Sequence, residues 1–350
     1  MEFIGTVIEK LQRHPKRIVF PEGTEPRILQ AARQFHCLQL GAPIILGERP
    51  KVELVARENN VPLDGIRILD PAQSQDLDKF ARAFRLLSRP RLKVMEARDA
   101  MMMNPNYFGA MMVAMRQADG IVTGTHAATA TVLRPLFQTI GLAPNITTAC
   151  SCTVMEFDDH RLGDNGVMLL ADCGVVPDPT MEQLADIAVS AAKFARHLMG
   201  LKPRVAFLSF ATRDPAMPPS IGKVQAAVAL AARKSAEQGL EAEFDGELQG
   251  DTAVVPRIAQ CKLPDSKVAG QANVLIFPDL QSGNIASRLL ISLSKVQAYG
   301  HILLGLDQPA ADVSRGSTAR DILGVASIVG LQAIAYDSLY PGRSGPGTGS

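Results

Sequence analysis

Short apolar runs alternate along the chain with longer segments in which apolar residues recur every three or four positions, the pattern of strands alternating with helices. Strands are predicted at 17–20, 43–46, 66–69, 120–123, 167–172, 204–209, 274–277 and 301–304. Between them, helical periodicity runs over 25–40, 52–59, 76–87, 108–117, 131–140, 181–199, 221–238 and 285–298. The helix from Met181 is the best punctuated: Thr180 and Gln183 have the spacing of a capping box, and Gly200 stands where the helix must stop. Such alternation predicts an α/β fold on largely parallel sheets. A chain of 350 residues fits two domains better than one. The stretch 142–153, with Pro144 and a polar cluster, reads as a crossing between them.

Composition narrows the function without naming it. The net charge of +1, with no basic tract, no Trp and four Tyr, gives nucleic-acid binding no support. The amphipathic N-terminus carries Glu2 and Glu9, unlike a targeting sequence, and no apolar run is long enough to span a bilayer. Five cysteines, Cys37, Cys150, Cys152, Cys173 and Cys261, form no paired CxxC spacing and read as reduced thiols of a cytoplasmic protein. The Met-rich stretches around Met101 and Met111 read as core filler. Residues 341–350, rich in Gly, Ser and Pro, read as a flexible tail outside the fold.

Chemistry concentrates near the end, in Asp312-Val313-Ser314-Arg315-Gly316-Ser317-Thr318-Ala319-Arg320-Asp321. Apolar Ile322, Val325, Ala326 and Val329 follow at helical spacing, so Ser317 is expected as the N-cap and Asp321 in the first turn. The unpaired N–H groups of a helix start favour an anion. Arg315 offers a planar fork for phosphate oxygens, Ser314 a hydroxyl for a developing oxyanion, and Asp321 a proton acceptor. A carboxylate of ordinary pKa is a poor base toward an ordinary thiol, short by roughly 4.6 units or about 6 kcal/mol. Positive groups nearby would lower the thiol's pKa, so activating the nucleophile matters more than strengthening the base. The same residues also fit a purely structural account, in which Ser317 caps the helix, Asp321 complements its dipole and Arg315 is solvated.

Two further turns follow predicted strands, where ligands gather in an open α/β sheet. The first runs from Pro21 through Arg27, a ligand contact or a capped helix start; the second runs from Thr123 to Pro135, with Arg134 as a possible anion clamp. His126 has no partner at metal-ligand spacing and reads as a hydrogen-bonded loop histidine. No Walker loop, GxGxxG, HExxH or GxSxG motif is present.

Taken in order, these motifs resemble those of the phosphate acetyl/butyryltransferases, a likeness spanning roughly residues 15–335. Its carriers are the turn from Arg17 to Arg27, Asn104-Pro105-Asn106-Tyr107-Phe108-Gly109, Ala118-Asp119-Gly120, Leu133-Arg134-Pro135, Asp245-Gly246-Glu247, Gly270-Gln271-Ala272-Asn273 and the Ser314-Arg315-Gly316 turn with Asp321. The resemblance implies reversible acetyl transfer between coenzyme A and phosphate in a ternary complex, without an acyl-enzyme. It puts the base at Asp321, transition-state contacts at Ser314 and Arg315, and substrate contacts at Arg134, Arg89, Thr129 and Gly316. Arg89 is the match within an altered segment, with Arg85 and Arg91 as alternatives. The loop 208–215 departs from the family pattern by losing its Gly-Ser end.

The implied fold is two three-layer α/β domains with a cleft between them, like the isocitrate and isopropylmalate dehydrogenases. One domain is expected from 1–145 plus 300–335, carrying the Ser-Arg-Gly turn, and a second, dimerising domain from 146–299. A homodimer without metal or other cofactor is expected, with CoA and phosphate as substrates. Transfer of propionyl or butyryl groups, and a non-catalytic acetyl-CoA-binding module, are the alternatives.

Overall fold

The computed structural model describes residues 2–87, 92–126, 129–213 and 219–340. Its strands are Lys16–Phe20 (β1), Gly41–Leu46 (β2), Arg67–Leu69 (β3), Gly120–Thr123 (β4), Cys150–Phe157 (β5), Val167–Ala171 (β6), Arg204–Leu208 (β7), Glu243–Leu248 (β8), Val274–Ile276 (β9), Val296–Leu304 (β10) and Ala310–Asp312 (β11). The chain divides into two compact units. One comprises Glu2–Pro144 and Leu306–Tyr336; the other is built on Asn145–Gly305, so residues 300–305 group with it.

In the first unit the strand order is β3-β2-β1-β4-β11, every pairing parallel. The buried runs of β1 and β4 explain why they sit inside this sheet. Arg17 and Asp119 lock the starts of these strands: the Arg17 N–H donates to Asp119 Oδ2 (2.7 Å) and its guanidinium to Oδ1 (2.8 Å). Helix Ala319–Ile334 lies on β4 so closely that a β-carbon on Gly120 would stand 2.4 Å from Val329 Cγ1. Its Ile322, Val325, Ile328 and Val329 are buried, each worth about 1.5–3 kcal/mol. The amphipathic N-terminus forms helix Glu2–Arg13, whose Leu11 is buried against Gly330.

In the second unit the order is β10-β5-β6-β9-β7-β8. Strands β10 and β6 both pair antiparallel with β5, a departure from the largely parallel sheet expected. The cause is β5 itself, which lies partly in the stretch expected as a crossing: its Cys, Ser and Thr residues are buried, with Ser151 hydrogen-bonded to Asp172. Thr180 and Gln183 form the expected capping box on Met181–His197. Strand β10 starts earlier than the sequence pattern suggests, because helix Leu280–Leu293 ends before Val296.

Met101, Met111 and Met112 are core residues as expected, whereas Met102, Met103 and Met115 are exposed. Residues Asp214 and Pro215 of the atypical loop, and the tail 341–350, lie outside the described residues.

Candidate active site

The expected site residues that the structure describes all belong to the first unit, in the turns and helix starts that follow β4 and β11. Strand β11 is only three residues long, yet its register is fixed by pairing with β4 and by the Val313 N–H donating to Thr123 O (2.7 Å). The chain then leaves the sheet as the turn that carries Ser314, half-buried, and Arg315 and Gly316, both exposed. The turn is closed from within. Ser314 Oγ accepts from the Gly316 N–H (3.2 Å), and Ser314 O accepts from the Ser317 N–H (2.9 Å).

The helix that follows is capped by Thr318, not by Ser317 as expected. Thr318 Oγ1 accepts from the Asp321 N–H (3.2 Å) while Asp321 Oδ2 accepts from the Thr318 N–H (2.8 Å), a reciprocal box. Ser317 lies one residue earlier, in the preceding turn, with its N–H donating to Ser314 O and its carbonyl accepting from Arg27. Asp321 stands in the first turn, as expected, with its carboxylate held at the mouth of the helix.

Thr129 opens helix Thr129–Thr139 and hydrogen-bonds Asp312, the last residue of β11. Burial, and then the nearby Glu22 carboxylate, push the Asp312 carboxyl up to about 7 against the relief offered by Thr129. Arg134 lies on the same helix, exposed, and its charge reaches Tyr107, whose hydroxyl burial nonetheless pushes up. Arg89 and its alternative Arg91 lie outside the described residues, while Arg85 is in helix Leu77–Leu87. The structure thus puts Ser314, Arg315 and Gly316 in one turn, Asp321 in the first turn of the helix that follows it, and Thr129 on Asp312 at the end of β11.

The turn after β1 plays a part the sequence left open. Glu22 accepts from the N–H groups of Gly124 (2.9 Å), Thr125 (2.8 Å) and His126 (3.0 Å) and from the Thr125 hydroxyl (2.6 Å). Glu25 accepts from Arg27 Nε (2.7 Å), and its second oxygen lies 2.9 Å from His126 Nε2, so His126 is the hydrogen-bonded loop residue expected. The hydrogen bond from Arg27 is the main reason the Glu25 carboxyl is lowered. A carboxylate set in the apolar run before Ser314 was the available signal for Asp312; nothing local marked Arg27 as a partner of residues 315 and 317.

A cavity of about 340 Å³ lies against Glu22 and His126, with Lys51 and Asn106 in its lining but none of Ser314, Arg315 or Asp321. Among the described residues no group of three or more His, Cys, Asp or Glu side chains is placed to hold a metal, and no helix is long and apolar enough to cross a membrane.

The phosphate acetyl/butaryl transferase profile matches residues 2–329. The phosphate acetyltransferase of Thermoanaerobacterium thermosaccharolyticum is 40% identical over 333 residues, 95% of this chain and 100% of that protein. That of Acetivibrio thermocellus is 39% identical, covering 95% and 98%. Among solved structures, a phosphotransacetylase from Streptococcus pyogenes superposes with a TM-score of 0.86 at 37% identity, over 95% of this chain and 98% of that one. With the profile covering nearly the whole chain and relatives at this identity over their full length, the chain belongs to the phosphate acetyl/butaryl transferase family.

Proposed function

We propose that this chain is a phosphate acetyltransferase, catalysing acetyl-CoA + phosphate = acetyl phosphate + CoA. The observation that carries it is the Ser314-Arg315-Gly316 turn joined to the Asp321 capping box, a phosphate cradle and a carboxylate in one short segment. In the direction of acetyl-CoA synthesis, Asp321 takes the proton of the CoA thiol as sulfur attacks the acetyl carbonyl carbon. The C–S bond forms, the carbonyl oxygen gains charge beside Ser314 and Arg315, and the C–O bond to phosphate then breaks. The leaving phosphate accepts the proton from Asp321, which restores the base and balances the reaction.

Arg315 binds phosphate oxygens through its planar fork, and the exposed Gly316 leaves room for them. Arg134, Thr129 and Arg89 supply further substrate contacts, the two arginines as anion clamps. No metal or other cofactor enters: CoA and phosphate are held by arginine and backbone N–H groups. The working form is a cytoplasmic homodimer that dimerises through its second domain; the family resemblance supports this, and a monomer mass by light scattering would remove it.

The test is acetyl-CoA formation from acetyl phosphate and CoA by the purified chain, with Asp321→Asn in parallel and propionyl and butyryl phosphates as competitors. Turnover with preference for acetyl, lost in Asp321→Asn, is expected. A faster rate on butyryl phosphate would overturn the acetyl assignment, and binding of acetyl-CoA without turnover would make the chain a non-catalytic module.

A further inference from the structure

The loop between β11 and helix Ala319–Ile334 has no ladder to shape it, and its carbonyls need donors from elsewhere. One residue supplies two of them. Arg27, in the first turn of helix Pro26–Cys37, donates from Nη1 to Arg315 O (2.7 Å) and to Ser317 O (2.8 Å), with Nη2 near Thr125 O (3.4 Å). Glu25 orients the guanidinium through Nε, and His126 braces Glu25 from the other side.

We propose that Arg27 is the positioning residue of the active-site turn: by fixing the carbonyls of Arg315 and Ser317 it aims the backbone N–H groups that hold Ser314 and Asp321. The proposal rests on the transferase function for the roles of those two side chains. Its geometry follows from the planar trans peptide, in which C=O and the next N–H point in opposite directions. With Arg315 O turned to Arg27, the Gly316 N–H is turned away from it, and it donates to Ser314 Oγ. With Ser317 O turned to Arg27, the Thr318 N–H is turned away from it, and it donates to Asp321 Oδ2. The hydroxyl and the carboxylate are therefore each tied to a peptide whose far end one guanidinium holds.

Most of the Arg27 fork is spent within the protein, and only Nη2, 3.4 Å from Thr125 O, has a weak partner. The Arg27 side chain is 30% exposed, with Nε committed to Glu25 and Nη1 to two carbonyls. The rigid fork suits this task, and a lysine, with one flexible point charge, reaches one carbonyl at a time.

The test compares wild type, Arg27→Ala, Arg27→Lys and Glu25→Gln by steady-state kinetics, thermal melting and hydrogen-exchange mass spectrometry of a peptide spanning 313–321. Arg27→Ala is expected to lower kcat about 100-fold, the cost typical of a misplacement near 1 Å, with the KM for CoA changed less than about threefold. Exchange at residues 316–318 should rise while helix Pro26–Cys37 stays protected, and Arg27→Lys should restore only part of kcat. Full restoration by Arg27→Lys with a raised KM for acetyl phosphate would make Arg27 a substrate ligand and overturn the proposal. Unchanged exchange at 316–318 in folded Arg27→Ala would overturn it as well. If Arg27→Ala does not fold, Glu25→Gln carries the same comparison, with a several-fold loss of kcat and faster exchange expected and wild-type values of both overturning it. A wild type without turnover sinks the transferase function alone, since the exchange measurement reads the strut independently.

Discussion

Asp312 Oδ1 lies directly against the backbone of Gly124, so that a β-carbon at that glycine would stand 2.1 Å from it. Gly124 also has φ +112, a conformation that side chains rarely adopt. The close approach ties the end of β11 to the turn after β4, and the φ reserves that position for glycine. Gly124→Ala is expected to cost about 2–4 kcal/mol, through overpacking and backbone strain together. Turnover should fall with it, because the Ser314 turn begins at the displaced strand. Urea unfolding checks this, and a variant within about 0.5 kcal/mol of the parent would refute the fit.

The same Asp312 makes stability depend on pH. Its carboxyl titrates at about 7 in the folded chain against 3.8 when exposed, because burial, and then Glu22, oppose its charge. Between those values the folded chain keeps a proton that the unfolded chain has released, so the contribution is complete below the lower value and lost as pH rises through the higher. Relative to Asp312→Asn, the parent should lose roughly 3 kcal/mol between pH 5 and pH 8. Equal pH profiles for the two proteins would show that Asp312 ionises normally.

Capping and catalysis separate at Thr318 and Asp321. The amide oxygen of Asp321→Asn can still accept from the Thr318 N–H, so melting should move by less than about 0.5 kcal/mol while kcat falls about 10²–10⁴-fold. Thr318→Ala removes the acceptor for the Asp321 N–H and should cost about 1 kcal/mol of stability. A folded Asp321→Asn with parental kcat would take Asp321 out of the proton path.

Arg315→Ala should lower kcat/KM for acetyl phosphate about 10²–10³-fold, the range for removing one donor to a developing charge. Arg315→Lys should recover little, since an ammonium cannot give two parallel hydrogen bonds to a phosphate. Initial rates over a range of acetyl phosphate would show it. A mild effect would move the phosphate site away from this turn.

Strands β1, β2 and β4 and the helix from Met181 were legible because local pattern and tertiary fate agree there. Strand β5 was not, since Cys150, Ser151, Cys152 and Thr153 look like polar loop residues until pairing on both sides buries them. Strand β11 is too short to show a period. At the candidate site, the order Ser314, Arg315 and then Asp321 at the head of a helix was legible in the sequence, but the cap is Thr318 and not the adjacent Ser317. The spacing of Thr318 and Asp321 held the answer, because only that pair can bond reciprocally. Arg27 was out of reach, since its partners lie 288 and 290 positions away and are carbonyls, which every residue has.

The return of Leu306–Tyr336 to the first unit has a consequence for how the protein is made. During synthesis Glu2–Pro144 leaves the ribosome with β4 as an open sheet edge, and the whole of Asn145–Gly305 follows before β11 can cover it. Among the described residues of this unit, only β11 pairs with that edge of Gly120–Thr123, and only helix Ala319–Ile334 covers the face beside it, so an edge of this kind waits for the last-made segment. The segment that closes this edge is also the one that brings the Ser314 turn, so the first-made half is shielded and the candidate site completed in the same step.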